Sequence, residues 1–153
     1  MMIRGSVFSG VMRGRSLIDI YFHRLVGLLG FEPFKGTMDV KLERSIDIRK
    51  YATKRIDHRL LSGDLVVEAY LAPVMLFVSG KQYSCWAMQQ AEGVYETDIV
   101  EIIAREKLKE KLSVQDGQEV ELDFTETGYK PKVEGNFFQK ISGKTVRAIK
   151  KRQ

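Results

Sequence analysis

The chain has 153 residues, of which 44% are hydrophobic, and its formal net charge is +5. This length suits one domain of ~100–200 residues, and the hydrophobic fraction excludes a disordered chain. No run approaches the ~18 consecutive apolar residues of a membrane span, and residues 1–10 have no apolar core of the kind found in a signal peptide. We therefore expect a globular protein that lies in the cytoplasm, acts as a monomer and has no membrane partner.

The positive charge is concentrated at the C-terminal end. From Lys130 onward the chain has eight basic residues and one acidic residue, whereas residues 1–129 carry a net charge of −2. A basic end can bind nucleic acid or another anionic surface, but a solvated tail is the simpler interpretation. We predict a domain at residues 1–128 and a basic extension at residues 129–153, and we do not expect nucleic acid to be the main partner.

Cysteine and histidine are too sparse for several common kinds of site. Cys85 is the single cysteine and cannot form an internal disulfide, which fits a reducing compartment. With Trp86 beside it, we expect a buried and inert thiol. His23 and His58 have no second histidine or cysteine at metal-ligand spacing. The sequence therefore argues against a zinc site and against a nucleophile activated by histidine.

The N-terminal part of the sequence predicts a strand, a basic loop and a helix. Residues 2–8 form the strand, and residues 9–15 interrupt it with two glycines and two arginines. Backbone N–H groups in such a loop can hold phosphate, and arginines add charge-assisted hydrogen bonds. Apolar residues then follow at helical spacing from Phe22 to Leu29, and Gly30 is placed for a left-handed C-terminal cap.

Residues 37–42 alternate between apolar and polar side chains. Met38, Val40 and Leu42 are apolar and would face a core, which leaves Thr37 and Asp39 together on the opposite face. Strand residues two apart lie ~6.5–7 Å from each other and point the same way. A hydroxyl and a carboxylate so placed can reach one hard cation such as Mg²⁺. The simpler alternative is a half-buried strand with a polar outer face.

Short strands separated by turns fill the rest of the chain. The predicted elements, in chain order, are strands at 56–61, 65–72, 74–78 and 82–88, paired as two hairpins, a loop at 89–97, a strand at 99–103, a short charged helix at 105–112 and a strand at 119–124. Turns every ~8–12 residues and two short helices are typical of a compact β-barrel. The predicted fold class is mainly β.

Three motif blocks occur in a fixed order along this barrel pattern. They are Gly5-Ser6-Val7-Phe8-Ser9-Gly10 with Arg13-Gly14-Arg15, then Leu29-Gly30-Phe31-Glu32-Pro33-Phe34 with Gly36-Thr37-Met38-Asp39-Val40-Lys41-Leu42, and then Val100-Glu101-Ile102-Ile103-Ala104 with Lys107-Leu108-Lys109 and Asp116-Gly117. With these blocks the chain resembles the archaeal CTP-dependent riboflavin kinases between residues 3 and 124. The block around Pro33 is the most specific.

The resemblance implies a cradle-loop β-barrel that transfers the γ-phosphate of CTP to the terminal ribityl hydroxyl of riboflavin, with Mg²⁺, and gives FMN and CDP. Its implied nucleotide-binding loop is Val11, Met12, Arg13, Gly14, Arg15 and Ser16, and its second nucleotide-binding segment is Glu106, Lys107, Leu108 and Lys109. Thr37 and Asp39 match the metal ligands, and Gly93 and Glu101 match flavin contacts. Asp39 and Glu101 are the implied catalytic residues, and Glu101 would help to orient the attacking hydroxyl.

The chain departs from the family pattern at three positions. Met12 replaces the middle glycine of the nucleotide loop, and its Cβ limits the approach of backbone to phosphate. Asp39 replaces the usual asparagine, and its added charge should hold Mg²⁺ more firmly. Gly93 replaces a threonine, which removes one hydroxyl contact worth about 0.5–1.5 kcal/mol.

Two other functions fit parts of the sequence. The segment 100–122 also resembles the strand, helix, Asp-Gly turn and strand of swapped-hairpin transcription regulators, which would make the basic extension a DNA contact. The three departures also allow a relative that binds flavin or nucleotide without turnover.

Overall fold

The computed structural model describes residues 1–9, 18–19, 21–59, 66–90 and 98–125. Residues 10–15 of the predicted basic loop, the hairpin turn at 62–64, residues 91–97 of the loop predicted at 89–97 and the extension at 129–153 lie outside these residues, while residues 89 and 90 belong to a strand and not to the predicted loop. The described elements are β1 Met2–Phe8, α1 Phe22–Leu29, β2 Met38–Leu42, a 3-10 helix Ile48–Lys50, β3 Lys54–Arg59, β4 Val66–Val78, β5 Lys81–Gln90, β6 Ile99–Ile103, α2 Leu108–Lys111 and β7 Glu119–Phe124.

Six of the described strands close into a barrel. The strand order is β3-β4-β5-β6-β2-β1-β7, every pairing is antiparallel, and β4 also pairs with β7. The pairing of β4 with β7 closes the barrel of β4, β5, β6, β2, β1 and β7. β3 lies outside this closed set and pairs with the first half of β4. Closure gives each of these six strands a partner strand on both sides. The predicted mainly β barrel is confirmed.

β4 corrects the predicted pair of hairpins. The sequence suggested two strands separated near Pro73, but the structure has one strand from Val66 to Val78. One side of β4 pairs with β3 as far as Leu71 and then with β7 from Val74. Pro73 therefore lies where β4 changes partner, a position that tolerates a residue without a backbone N–H.

Two apolar clusters lie on opposite faces of the sheet. The interior of the barrel is filled by alternate residues of all six strands, including Ile3, Val40 and Leu122. The second cluster covers part of the outer face, and its members include Leu25 of α1, Met88 and Ile103. Because neighbours on a strand point to opposite faces, the polar residues that alternate with Val40 on β2 lie on the outer face.

The two helices differ in how well the sequence predicted them. α1 ends as expected, because Gly30 has φ 81° and its N–H donates to the Val26 carbonyl at 2.8 Å. α2 is shorter than the predicted 105–112, since Lys107 is extended and Ser113 has φ 56°. Within the described residues, no helix has both the length and the hydrophobicity needed to cross a membrane.

Gly5 tests the tight packing of β1 against β2. A Cβ at this position would lie 2.6 Å from the Lys41 carbonyl oxygen and 2.6 Å from a Val40 methyl carbon. Because one of these atoms is backbone, we expect Gly5→Ala to lower the free energy of unfolding by about 1–3 kcal/mol, measured by chemical denaturation.

Gly27 gives the matched control for this substitution. It lies in α1, and a Cβ there meets nothing within 4 Å. Gly27→Ala should therefore raise the free energy of unfolding by about 0.5–1 kcal/mol, as expected for alanine in a helix. A Gly5→Ala variant as stable as the parent protein would contradict the packing described here.

Candidate active site

A cavity of about 400 Å³ opens at one side of the barrel. The end of β1, the segment before β2, the end of β6 and α2 form its walls, and it brings together Thr37, Asp39 and the segment from Glu106 to Lys109. These residues are separated by about 70 positions in the chain, and the pairing of β2 with β6 brings them together. The cavity is therefore the candidate site.

Thr37 and Asp39 form the acidic wall of the cavity. The Thr37 hydroxyl donates a hydrogen bond to Asp39 Oδ1 at 3.1 Å. Asp39 is only 6% exposed, because β2 lies between β1 and β6 and its cross-strand neighbours are Phe8 and Glu101. Burial raises the pKa of Asp39, while the hydrogen bond from Thr37 and the charge of Lys109 oppose the rise. Asp39 therefore lies on the outer face of β2 but is covered from solvent.

Glu101 lies beside Asp39 and below the surface. The two residues are directly opposed on β6 and β2, and Glu101 is fully buried. Neither of its carboxyl oxygens has a hydrogen-bond partner among the described residues. Burial, and to a lesser degree the charge of Asp39, raises the pKa of Glu101 to about 8. Glu101 is thus predominantly protonated at neutral pH, and it is not one of the residues that line the cavity.

The oxygen pair of Thr37 and Asp39 has a spacing that suits a small hard cation. Neighbouring ligands of octahedral Mg²⁺, each at ~2.0–2.1 Å from the metal, lie about 3 Å apart. The Thr37 Oγ1 to Asp39 Oδ1 distance of 3.1 Å matches this separation. Across the described residues there is no cluster of three or more histidine, cysteine or acidic side chains suited to a metal. A cation here would take its other ligands from water and phosphate.

Lys109 provides positive charge on the opposite wall. Its ammonium donates to Ser9 Oγ at 3.0 Å and to Asp116 Oδ1 at 2.9 Å. Ser9 also lines the cavity. Lys107 also lines the cavity and pairs with Glu110 at 3.2 Å, on an exposed surface. Within the described residues, Lys109 is bonded to another residue of the cavity lining, whereas Lys107 pairs with a residue outside that lining.

Glu106 is held at the rim by two groups. The Tyr83 hydroxyl donates to Glu106 Oε1 at 2.9 Å, and the Lys111 ammonium lies 3.5 Å from Oε2. Burial raises the pKa of Tyr83, and the hydrogen bond to Glu106 raises it further. Tyr83 packs against the barrel interior, so it connects the rim to the core.

Some predicted site residues cannot be compared with this geometry. Val11, Met12, Arg13, Gly14, Arg15, Ser16 and Gly93 lie outside the described residues. The structure does place the end of β1 at the cavity, because Phe8 and Ser9 line it. The loop predicted to bind nucleotide therefore begins two positions after Ser9, a cavity residue.

Sequence reasoning missed three residues that support the site. Ser9 and Asp116 bind Lys109, and Tyr83 binds Glu106. Ser9 and Asp116 belong to the motif blocks described above, so the sequence indicated that they matter. It did not indicate that both bind Lys109. No sequence pattern pointed to Tyr83, because its contact with Glu106 joins residues that are 23 positions apart in the chain.

The cavity lies in a part of the chain that matches a known family. The family model for CTP-dependent riboflavin kinases, described as domain of unknown function DUF120, matches residues 7–124. The chain belongs to this family. The matched range contains the barrel strands from the end of β1 to β7, so the residues that line the cavity all lie within the family domain.

Similar curated proteins carry the name riboflavin kinase. The chain is 30% identical over 133 residues to that of Methanoculleus marisnigri, which is 80% of this chain and 57% of the relative. It is 28% identical over 131 residues to that of Archaeoglobus fulgidus, 79% of this chain and 53% of the relative. It is 30% identical over 123 residues to that of Methanosphaera stadtmanae, which is 76% of this chain and 92% of the relative. This family member thus spans about half the length of the first two relatives and most of the third.

The buried carboxyl of Glu101 predicts a pH dependence of stability. Its pKa is about 8 in the folded chain against an ordinary value of 4.5. Between these values the unfolded chain loses the proton and the folded chain keeps it, so the free energy of unfolding should fall as pH rises. The slope is about 1.4 kcal/mol per pH unit where the difference is complete.

Glu101→Gln should remove this slope. Urea denaturation between pH 5 and pH 8.5 should show a stability advantage of the variant that grows with pH and becomes constant above about pH 8. Glu121→Gln is the matched control, because it removes an exposed carboxyl on β7. Parallel curves for the Glu101 variant and the parent protein would contradict the burial of an unpartnered carboxyl.

Proposed function

We propose that the protein is a riboflavin kinase that uses CTP and transfers its γ-phosphoryl group to the terminal ribityl hydroxyl of riboflavin, giving FMN and CDP. The observation that carries this proposal is the cavity in which the Thr37 and Asp39 oxygens face a lysine of α2. Family membership supports the riboflavin kinase activity, and the name of the family supports CTP as donor.

Nucleotide phosphates would bind on the basic wall of the cavity. Lys109 and Lys107 bring two ammonium groups to this wall, and phosphate binding by lysine acts through point charge. The predicted loop at 11–16 would add backbone N–H groups and the guanidinium groups of Arg13 and Arg15. Glu106, held by Tyr83, would accept hydrogen bonds from hydroxyl or amino groups of the nucleoside.

Thr37 and Asp39 are the residues that would hold Mg²⁺. When bound there, the ion supplies positive charge that neutralises the phosphate oxygens during transfer. Asp39 is well suited to this role because its carboxylate is buried and already fixed by the Thr37 hydroxyl. A fixed ligand loses little freedom on binding, which is the general advantage of a preorganised site.

The transfer itself needs position more than covalent help from the protein. The ribityl oxygen forms a bond to the γ-phosphorus as the bond from that phosphorus to the β–γ bridging oxygen breaks, and the hydroxyl proton passes to solvent. Kinases accelerate such a step mainly by holding the two reactants in line and by balancing charge. Glu101 is fully buried beside Asp39 and does not line the cavity, so the flavin contact that the family resemblance implies for it stays a prediction.

Product formation is the direct test of this function. Purified protein with riboflavin, Mg²⁺ and CTP should produce FMN and CDP in equal amounts, measured by chromatography with fluorescence detection. Parallel reactions with ATP and UTP test the donor. FMN from ATP alone would overturn the choice of CTP, and no FMN with any nucleotide would overturn the kinase proposal. Riboflavin binding without product would identify a non-catalytic relative.

Asp39 provides the sharpest variant. Asp39→Ala should lower kcat by about 100-fold or more, because a group that fixes charge at the reacting phosphate is lost. Asp39→Asn introduces the residue usual in the family, so it should retain activity but require a higher Mg²⁺ concentration. Steady-state kinetics across a Mg²⁺ titration measure both effects, and thermal melting is the control. A marked fall in Tm that accompanies the fall in kcat would indicate that Asp39 has a structural role instead.

A further inference from the structure

Three side chains form a connected polar group beside the cavity. The Lys109 ammonium donates to Ser9 Oγ at 3.0 Å and to Asp116 Oδ1 at 2.9 Å. Lys109 and Ser9 line the cavity, whereas Asp116 is not one of its lining residues. Asp116 therefore contacts the cavity only through the two residues that it binds.

The backbone around Asp116 is fixed to the end of β1. Gly117 has φ 89°, which an L side chain rarely adopts, and its N–H donates to the Val7 carbonyl at 2.6 Å. The Val7 N–H donates in return to the Gln118 carbonyl at 3.0 Å. These two hydrogen bonds tie the turn to the end of β1, so the barrel fixes the backbone next to Asp116.

Charge makes this carboxylate a stable partner for Lys109. Hydrogen bonds from Ser9, followed by the contact with Lys109, hold the pKa of Asp116 below its ordinary value. Lys109 also acts electrostatically on Asp39 across the cavity. A lysine ammonium ends a flexible four-carbon stem, so without Asp116 this charge would occupy many more orientations.

The contribution of this group to stability is expected to be small. The Asp116 side chain is 52% exposed and that of Lys109 is 30% exposed, and exposed ion pairs contribute little because water and salt screen them. An aspartate that does little for folding, yet fixes a cavity lysine and a cavity serine, is better explained by what the cavity binds.

We propose that Asp116 is a positioning residue for phosphate binding, which holds the Lys109 ammonium and the Ser9 hydroxyl at the cavity wall in the orientation that receives the nucleotide phosphates. This inference rests on the proposed function, because it concerns the same cavity. It adds a residue that touches neither substrate and acts through Lys109.

The test is a double-mutant cycle on binding. CTP and inorganic tripolyphosphate are each titrated into the full chain by calorimetry, for Asp116→Ala, Lys109→Ala and the double variant. Asp116→Ala should raise the Kd of both probes about tenfold, and the double variant should bind no more weakly than Lys109→Ala alone, because residues that act as a unit are not additive. Asp116→Asn keeps an oxygen acceptor for the ammonium and should restore binding to within about threefold of the parent protein.

Kinetics separate positioning from structure. Asp116→Ala should raise the KM for CTP and leave the KM for riboflavin and the Tm unchanged. Asp123→Ala is the matched control, since Asp123 is also an exposed aspartate in an ion pair, with the N-terminal ammonium at 3.4 Å, and does not line the cavity. It should change neither KM.

The remaining outcomes separate the positioning role of Asp116 from the proposed function. Additive losses in the cycle, unchanged binding by Asp116→Ala, or tighter binding by that variant would each overturn the positioning role. Tripolyphosphate binding without CTP binding would overturn the proposed function, and the tripolyphosphate cycle would then decide the role of Asp116. A parent protein that binds neither probe overturns both.

Discussion

The register of β2 between β1 and β6 is the constraint on which the rest of the structure depends. In this register Asp39 lies between Phe8 and Glu101, while Val40 lies between Val7 and Val100. A slip of one residue would exchange the two faces of β2. It would move Val40 out of the core and place Asp39 inside the barrel. The same pairing thus fills the interior and places the Asp39 carboxyl group where the cavity forms.

Two adjacent carboxyl groups on one face are costly, and the structure shows how the cost is limited. Glu101 avoids repulsion because it keeps its proton near neutral pH. Asp39 receives the Thr37 hydroxyl and the field of Lys109. Even so, a buried polar atom without a partner costs about 1–3 kcal/mol. A chain selected for stability alone would place apolar residues here, and perturbed carboxyls of this kind are concentrated at functional sites.

The predictable features were those determined by neighbours in sequence. The end of α1 followed from Gly30, and alternation in residues 37–42 correctly assigned Val40 to the core and Asp39 to the other face. The continuity of β4 through Pro73 was not predictable, because it depends on a change of partner strand that only the closed barrel creates.

The residues of the site also divide into those that the sequence could predict and those that depend on strand pairing. Spacing alone could pair Thr37 with Asp39, and the family resemblance brought the segment around Lys109 to the same site. The burial of Glu101 could not be read from the sequence, since an acid within an apolar strand fits an edge as well as an interior position. It became clear only when β6 was found between β2 and β5. The bond from Asp116 to Lys109 likewise depends on a turn that is held by β1.

The rigidity of the cavity follows from how its two walls are attached. The acidic wall is part of β2, and the basic wall is α2, which has only four residues and could not be stable alone. Leu108 and Leu112 bury α2 in the same interior cluster as Val40. One apolar core therefore holds the backbone of both walls, while Asp116 and Ser9 hold the Lys109 ammonium. Asp39 and Lys109 lie on separate walls and, among the described residues, do not form an ion pair with each other. Both are therefore available to a ligand that carries a metal ion and phosphate groups.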